Sequence, residues 1–136
     1  MMMTTRFIII ILLLLACQLD LPERHYKSTD ETTGGFNDFA LDLLSDGTLR
    51  LTITTSIFIE EKETGTIWQT KSKTVTGNWD MKDERINYTI DEPKVSIDSI
   101  FRDSDFADFI QYPLLTFSPT LDTAYIYGIS CLLTNK

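Results

Sequence analysis

Apolar and polar positions alternate in three different ways along this chain. Residues 7–15 are one unbroken apolar run, FIIIILLLL. From Gln18 to Gly35 polar residues dominate and no period repeats, the composition of a flexible spacer. From Phe36 onward the dominant period is two, the spacing of strands with one packed and one wet face. "FALDLL" and "TLRLTITTSIFIEE" break at Ser45-Asp46-Gly47-Thr48, and Asp-Gly between alternating apolar runs predicts a hairpin. In the second run Leu49, Leu51 and Ile53 share one face and Arg50, Thr52 and Thr54 the other. After a turn near 62–65, "GTIWQTKSKTVTGNWDM" repeats the pattern, with Gln69, Lys71 and Lys73 directed away from the packed face.

A charged turn at 82–84 predicts a further hairpin into "RINYTID". "KVSIDSIF", bounded by Pro93, then reads as a strand with Val95 and Ile97 on one side. Residues 102–112 depart from alternation: Phe106, Phe109 and Ile110 have helical spacing, and Ser104 or Asp105 supplies a cap. "LLTFSP" and "TAYIYGISCLL" close the chain, the second as a final strand in which Gly128 marks a bulge or a close backbone approach. The predicted fold is all-β, an antiparallel meander of seven or eight strands forming a small barrel or sandwich, with one short helical turn near residues 103–111. Closure is favoured because it removes exposed edges.

The opening run is too short to span a bilayer, which takes about 20 apolar residues. It has the form of a signal peptide, with Arg6 as the charged n-region, Phe7 to Leu15 as the h-region and Ala16 as the small residue at the cut. An ordinary cleavage site wants a small residue three places before the cut, and Leu14 stands there instead. Leu14-Leu15-Ala16-Cys17 resembles the bacterial lipobox. That resemblance implies a diacylglyceryl group on the Cys17 sulfur, cleavage between Ala16 and Cys17 by a lipoprotein signal peptidase, and acylation of the new amine. Two or three acyl chains, at about 0.8 kcal/mol per buried methylene, anchor a protein firmly. Gln18 stands where an inner-membrane retention signal has aspartate, which favours the outer membrane. The organisation expected is a leader over 1–16, a lipidated N-terminus and tether over 17–35, and a single β-domain over 36–136.

Charge excludes one class of partner. With 20 acidic and 12 basic residues the chain carries a net charge of −8, which repels phosphate backbones and argues against nucleic-acid binding. If Cys17 carries the lipid, Cys131 has no cysteine left to pair with; in the apolar "YIYGISCLL" it reads as a small buried hydrophobe, without the cationic setting a nucleophile needs.

Catalytic and metal chemistry find little support. His25 is the only histidine, and it falls in the expected tether, which cannot hold a catalytic triad or a metal site in position. Asp98, Asp103, Asp105 and Asp108 approach a calcium loop, but the positions that need Gly and Glu are Asp108 and Leu114 counting from Asp103. Glu60, Glu61, Glu63 and Asp80 supply carboxylates for glycoside chemistry without a visible cleft. No catalytic residue, metal or cofactor is expected. Aromatics are more suggestive: most fill the core, and Trp68, Trp79 and Tyr88 are the candidates for a ligand at a barrel mouth. The "DGT" turn and "GNWDMKDERINYTI", with its Gly77-Asn78-Trp79, are similar to the small lipocalin-like domains of bacterial lipoproteins. Two functions fit. One is a lipid-anchored envelope module that binds a small apolar molecule, peptide or glycan; the other is a structural lipoprotein with a filled core that docks onto another envelope component.

Overall fold

The computed structural model describes residues 21–29, 37–61, 65–101 and 107–135, with the backbone alone at 57–61 and 66–68. The leader, Ala16 and Cys17 lie outside the described residues. Among the described residues eight strands form one sheet: β1 (Arg24–Ser28), β2 (Asn37–Leu43), β3 (Thr48–Glu61), β4 (Gly65–Lys82), β5 (Arg85–Ile90), β6 (Leu115–Phe117), β7 (Thr123–Ile126) and β8 (Ile129–Leu133). Their order is β5-β4-β3-β2-β1-β8-β7-β6, antiparallel at every step. The sheet is nearly closed into a barrel, as the period-two pattern predicts.

Turn chemistry sets the registers. Between β2 and β3, Gly47 takes a φ of +87° and the Thr48 amide donates to Asp46 Oδ1 at 2.9 Å, so the Asp-Gly pair makes the expected hairpin. Between β4 and β5, Asp83 and Glu84 both have positive φ, the left-handed pair that a two-residue hairpin turn demands. Once registered, Phe39, Leu41 and Leu43 of β2 face Ile53, Leu51 and Leu49 of β3 across the ladder, all without solvent exposure. Burying each such side chain stabilises the fold by roughly 1.5–3 kcal/mol.

Three expectations need correction. The tether does not extend to residue 35: β1 lies inside the sheet between β2 and β8. Only Tyr26 in "RHYKS" is a large core residue, so this strand is held by backbone pairing on both sides, a signal that apolar periodicity does not carry. The final "strand" is a hairpin, because Tyr127 and Gly128 have φ of +50° and +79° and reverse the chain between β7 and β8.

The third correction concerns "KVSIDSIF". It forms the helix α1 (Lys94–Asp98) followed by a 3-10 turn (Ser99–Phe101). Val95, expected on the same side of a strand as Ile97, is 75% exposed, while Ile97, Ile100 and Phe101 are buried. Their spacing of three and four is helical. Pro93 sets the entry, and Lys94 pairs with Asp98 one turn on at 3.1 Å. A second 3-10 turn (Ala107–Gln111) falls within the helical stretch expected over 103–111, and residues 102–106 lie outside the described residues.

Side chains fill the barrel. Phe101 packs edge-on against Tyr127 at 5.2 Å between ring centres and lies 6.4 Å from Phe39, so the helical segment joins the core. Tyr127 donates its hydroxyl to Asp98 Oδ1 at 2.6 Å and ties the β7–β8 turn to α1.

Candidate functional site at the barrel seam

The chain leaves β5 at one edge of the sheet, passes through α1 and the 3-10 turns, and re-enters as β6 at the other edge. The two edges come together without pairing. Tyr88 crosses between them, its hydroxyl donating to the Leu115 carbonyl at 2.5 Å and its ring 6.2 Å from that of Phe117 in an edge-to-face arrangement. A side chain therefore stands where adjacent strands would be about 4.8 Å apart. Along this seam runs an open groove of about 680 Å³. Ile86, Tyr88, Leu115, Phe117 and Leu121 give it an apolar floor, and Asp83, Glu84 and Arg85 stand at one end.

The registers fix which backbone groups face the groove. The Trp79 amide donates to Gly47 on the β3 side and the Asp91 amide to Thr76 of β4. Hydrogen-bonded pairs alternate along an antiparallel ladder. Arg85, Asn87 and Thr89 therefore pair with β4, and Ile86, Tyr88 and Ile90 turn their N–H and C=O groups to the seam. On either side of β6, the Leu114 carbonyl accepts from the Tyr127 amide and the Ser118 amide donates to the Thr123 carbonyl. By the same alternation Leu115 and Phe117 turn theirs to the seam, and Tyr88 has taken the Leu115 carbonyl. Unpaired edges of this kind are templates for a further strand.

Of the aromatic candidates whose side chains are described, Tyr88 lines this groove and Trp79 does not. Tyr88 is 36% exposed, and burial raises its phenol pKa above the ordinary value, which keeps it a donor. Trp79 sits opposite it on β4 but is buried in the core, its indole N–H bound to the Leu44 carbonyl at 2.8 Å. Trp68 lies in β4 opposite Phe58, and its side chain is outside the described residues. Leu121, which the sequence did not single out, completes the floor: its carbonyl accepts the Tyr26 hydroxyl at 2.7 Å and its φ is +62°.

The polar candidates are placed differently. Asp98 serves Tyr127 and Lys94, Asp108 is exposed, and Asp103 and Asp105 fall outside the described residues. Glu60 and Glu61 lie in β3 with backbone alone described, Glu63 lies outside the described residues, and Asp80 is exposed on β4. Among the described residues no group of three or more His, Cys, Asp or Glu side chains is disposed to hold a metal.

His25 is not in a tether but on β1, with Asp42 Oδ1 2.7 Å from Nδ1 and Glu23 Oε2 3.2 Å from Nε2. The Asp42 hydrogen bond is the main cause of its raised pKa. Both ring nitrogens face carboxylates, an arrangement that favours the protonated imidazolium. Cys131 is buried and its thiol is pushed up to about 12, chiefly by desolvation, so it stays protonated.

Comparison with protein-family models, with curated proteins and with solved structures finds no match.

Proposed function

We propose that the protein is a non-catalytic binding module of the cell envelope, anchored by lipid on Cys17 at the outer membrane, and that its ligand lies in the seam between β5 and β6. The observation that carries this reading is the groove itself: about 680 Å³ of open space over an apolar floor, beside a barrel whose interior positions are occupied by buried side chains. Apolar clefts with a few convergent polar groups are the usual form of a ligand site. The filled interior also favours a second reading, a structural lipoprotein that docks through its surface.

The readings separate in one titration. The fluorescent apolar probe N-phenyl-1-naphthylamine is added to the wild type and to Ile86→Lys, which places a charge on the groove floor. Saturable binding that falls at least tenfold in the variant supports the seam. Equal binding, or none, favours the docking protein. The anchor is tested apart from this, by intact mass of membrane-extracted wild type and Cys17→Ala. A species beginning at Cys17 with added acyl mass, lost in the variant, is expected; an unmodified wild type overturns the anchor.

A further inference from the structure

The geometry points to a definite ligand class for the seam: an extended polypeptide segment that adds as a strand to the free edge of β5. This rests on the seam being the binding site and goes further, because it excludes an acyl chain or a simple apolar molecule as the preferred occupant.

The backbone decides between these classes. Among the described residues the N–H and C=O groups that Ile86, Tyr88 and Ile90 turn into the seam have no backbone partner, and Leu115 and Phe117 face them from β6. An acyl chain covering these groups would bury donors and acceptors without partners, at a cost of several-fold to a hundredfold in affinity for each. A peptide strand satisfies them. Its amides meet the carbonyls of β5 and its carbonyls meet the amides, while every second side chain descends to the floor formed by Ile86, Tyr88 and Phe117.

Direction and sequence preference follow. Antiparallel pairing with β5 is the stronger ladder. The floor selects apolar residues at alternate positions, while the turn at one end, with Asp83 and Glu84 beside Arg85, has charges of both signs and sets no preference of its own. The whole chain is acidic, so a basic partner segment is drawn by the general field.

Tyr88 has a definite part in this. Its hydroxyl occupies the Leu115 carbonyl in the free protein and is a placeholder for an amide of the incoming strand. Removing that hydroxyl leaves the β5 edge intact and frees the carbonyl.

The test uses a displayed library of random twelve-residue peptides, selected on the full chain in nanodiscs. Selected peptides are expected to alternate apolar and polar residues and to carry net positive charge. N-methylation of the amides on the ladder side should weaken them at least tenfold. Ile86→Pro removes an N–H that faces the seam together with part of the Ile86 side chain on the floor, leaves the β4 ladder in place, and should weaken them at least fivefold, whereas Ile86→Val, which trims the side chain and keeps the N–H, should weaken them less. Tyr88→Phe, which frees the Leu115 carbonyl and keeps the ring on the floor, should raise affinity up to about fivefold, and a fall in affinity would overturn the placeholder role. If the proline variant fails to fold, hydrogen exchange in the wild type decides: bound peptide should protect the amides of Ile86, Tyr88 and Ile90. An empty selection, binders indifferent to N-methylation, or no protection of those amides overturns strand addition. Should N-phenyl-1-naphthylamine still bind and be lost in Ile86→Lys, only strand addition falls; if the naphthylamine also fails to bind, the seam falls as a ligand site.

Discussion

Replacing Tyr127 by Phe tests how the helical segment is held to the barrel. The helix α1 has five residues and no side-chain cap, too little to stand without tertiary support. What holds it is the burial of Ile97, Ile100 and Phe101 and the hydrogen bond from Tyr127 to Asp98. Burial, and then the Asp98 bond, push the Tyr127 phenol well above its usual pKa, so the group donates throughout the range where the protein is folded. Tyr127→Phe deletes one hydroxyl and keeps the ring against Phe101 and the Lys94 ammonium 5.0 Å from its centre. Hydrogen bonds to charged groups contribute about 1.5–3 kcal/mol. Asp98 keeps Lys94 at 3.1 Å after the change and is not orphaned, so the lower part of that range applies, about 1.5–2 kcal/mol.

For a domain of about a hundred residues this lowers the melting temperature by about 6–15 °C. Urea unfolding should show a lower midpoint at unchanged slope, since the buried surface is the same. A cycle with Asp98→Asn isolates the pair, and the coupling should be about 1 kcal/mol. A loss below about 0.5 kcal/mol in Tyr127→Phe, or no coupling in the cycle, would refute the view that this bond secures the helix.

Three other outcomes are expected. At Gly77 an added Cβ would lie 2.0 Å from the Thr89 carbonyl oxygen, a backbone atom with little room to yield, so Gly77→Ala should cost about 3 kcal/mol and disrupt β4–β5 pairing, read by urea unfolding and by amide exchange in β5. His25 has a raised pKa in the folded state; its contribution is complete below its ordinary value near 6.5 and is lost as pH rises through the raised value. At 34% side-chain exposure it amounts to about 0.5–1 kcal/mol, so the wild type should gain stability over His25→Gln between pH 8.5 and pH 5.5; parallel pH profiles would remove the His25–Asp42 pair as its source. Cys131 should resist iodoacetamide at pH 8 in the folded protein and react on addition of urea, because burial holds its thiol near 12.

The residues that declare themselves in the sequence are those whose partners are near in the chain. Leu49, Leu51 and Ile53 alternate, the Asp-Gly turn precedes them, and both features act within a dozen residues. Ile97, Ile100 and Phe101 carried a helical spacing as well, but Val95 and Ile97 offered a competing alternation, and only the exposure of Val95 shows which pattern prevails. β1 was hidden for a different reason. Its pairing partners are β2 and β8, the latter about a hundred residues away, and its one large core side chain, Tyr26, makes no period. Tyr88 was legible as an aromatic on a strand, while its neighbours in the seam, Leu115, Phe117 and Leu121, are brought there only by the turn of the whole sheet.

The seam stays open because of residues that cannot extend it. Eight alternating strands leave β5 and β6 antiparallel, so direct closure is topologically allowed. Yet β6 has three residues against six in β5. Pro113 and Pro119 bracket it at two residues before Leu115 and two after Phe117, the positions whose amides would face the seam if the strand were longer. Proline has no amide to donate, so the ladder from β6 is limited to Leu115 and Phe117. The double change Pro113→Thr with Pro119→Thr should lengthen β6 and let it pair with β5 directly. Slowed exchange at the Ile86 and Tyr88 amides, together with loss of N-phenyl-1-naphthylamine binding, is the expected result. If those amides exchange as fast as in the wild type, the prolines are not what holds the barrel open, and the Tyr88 side chain spanning the gap becomes the remaining spacer to remove.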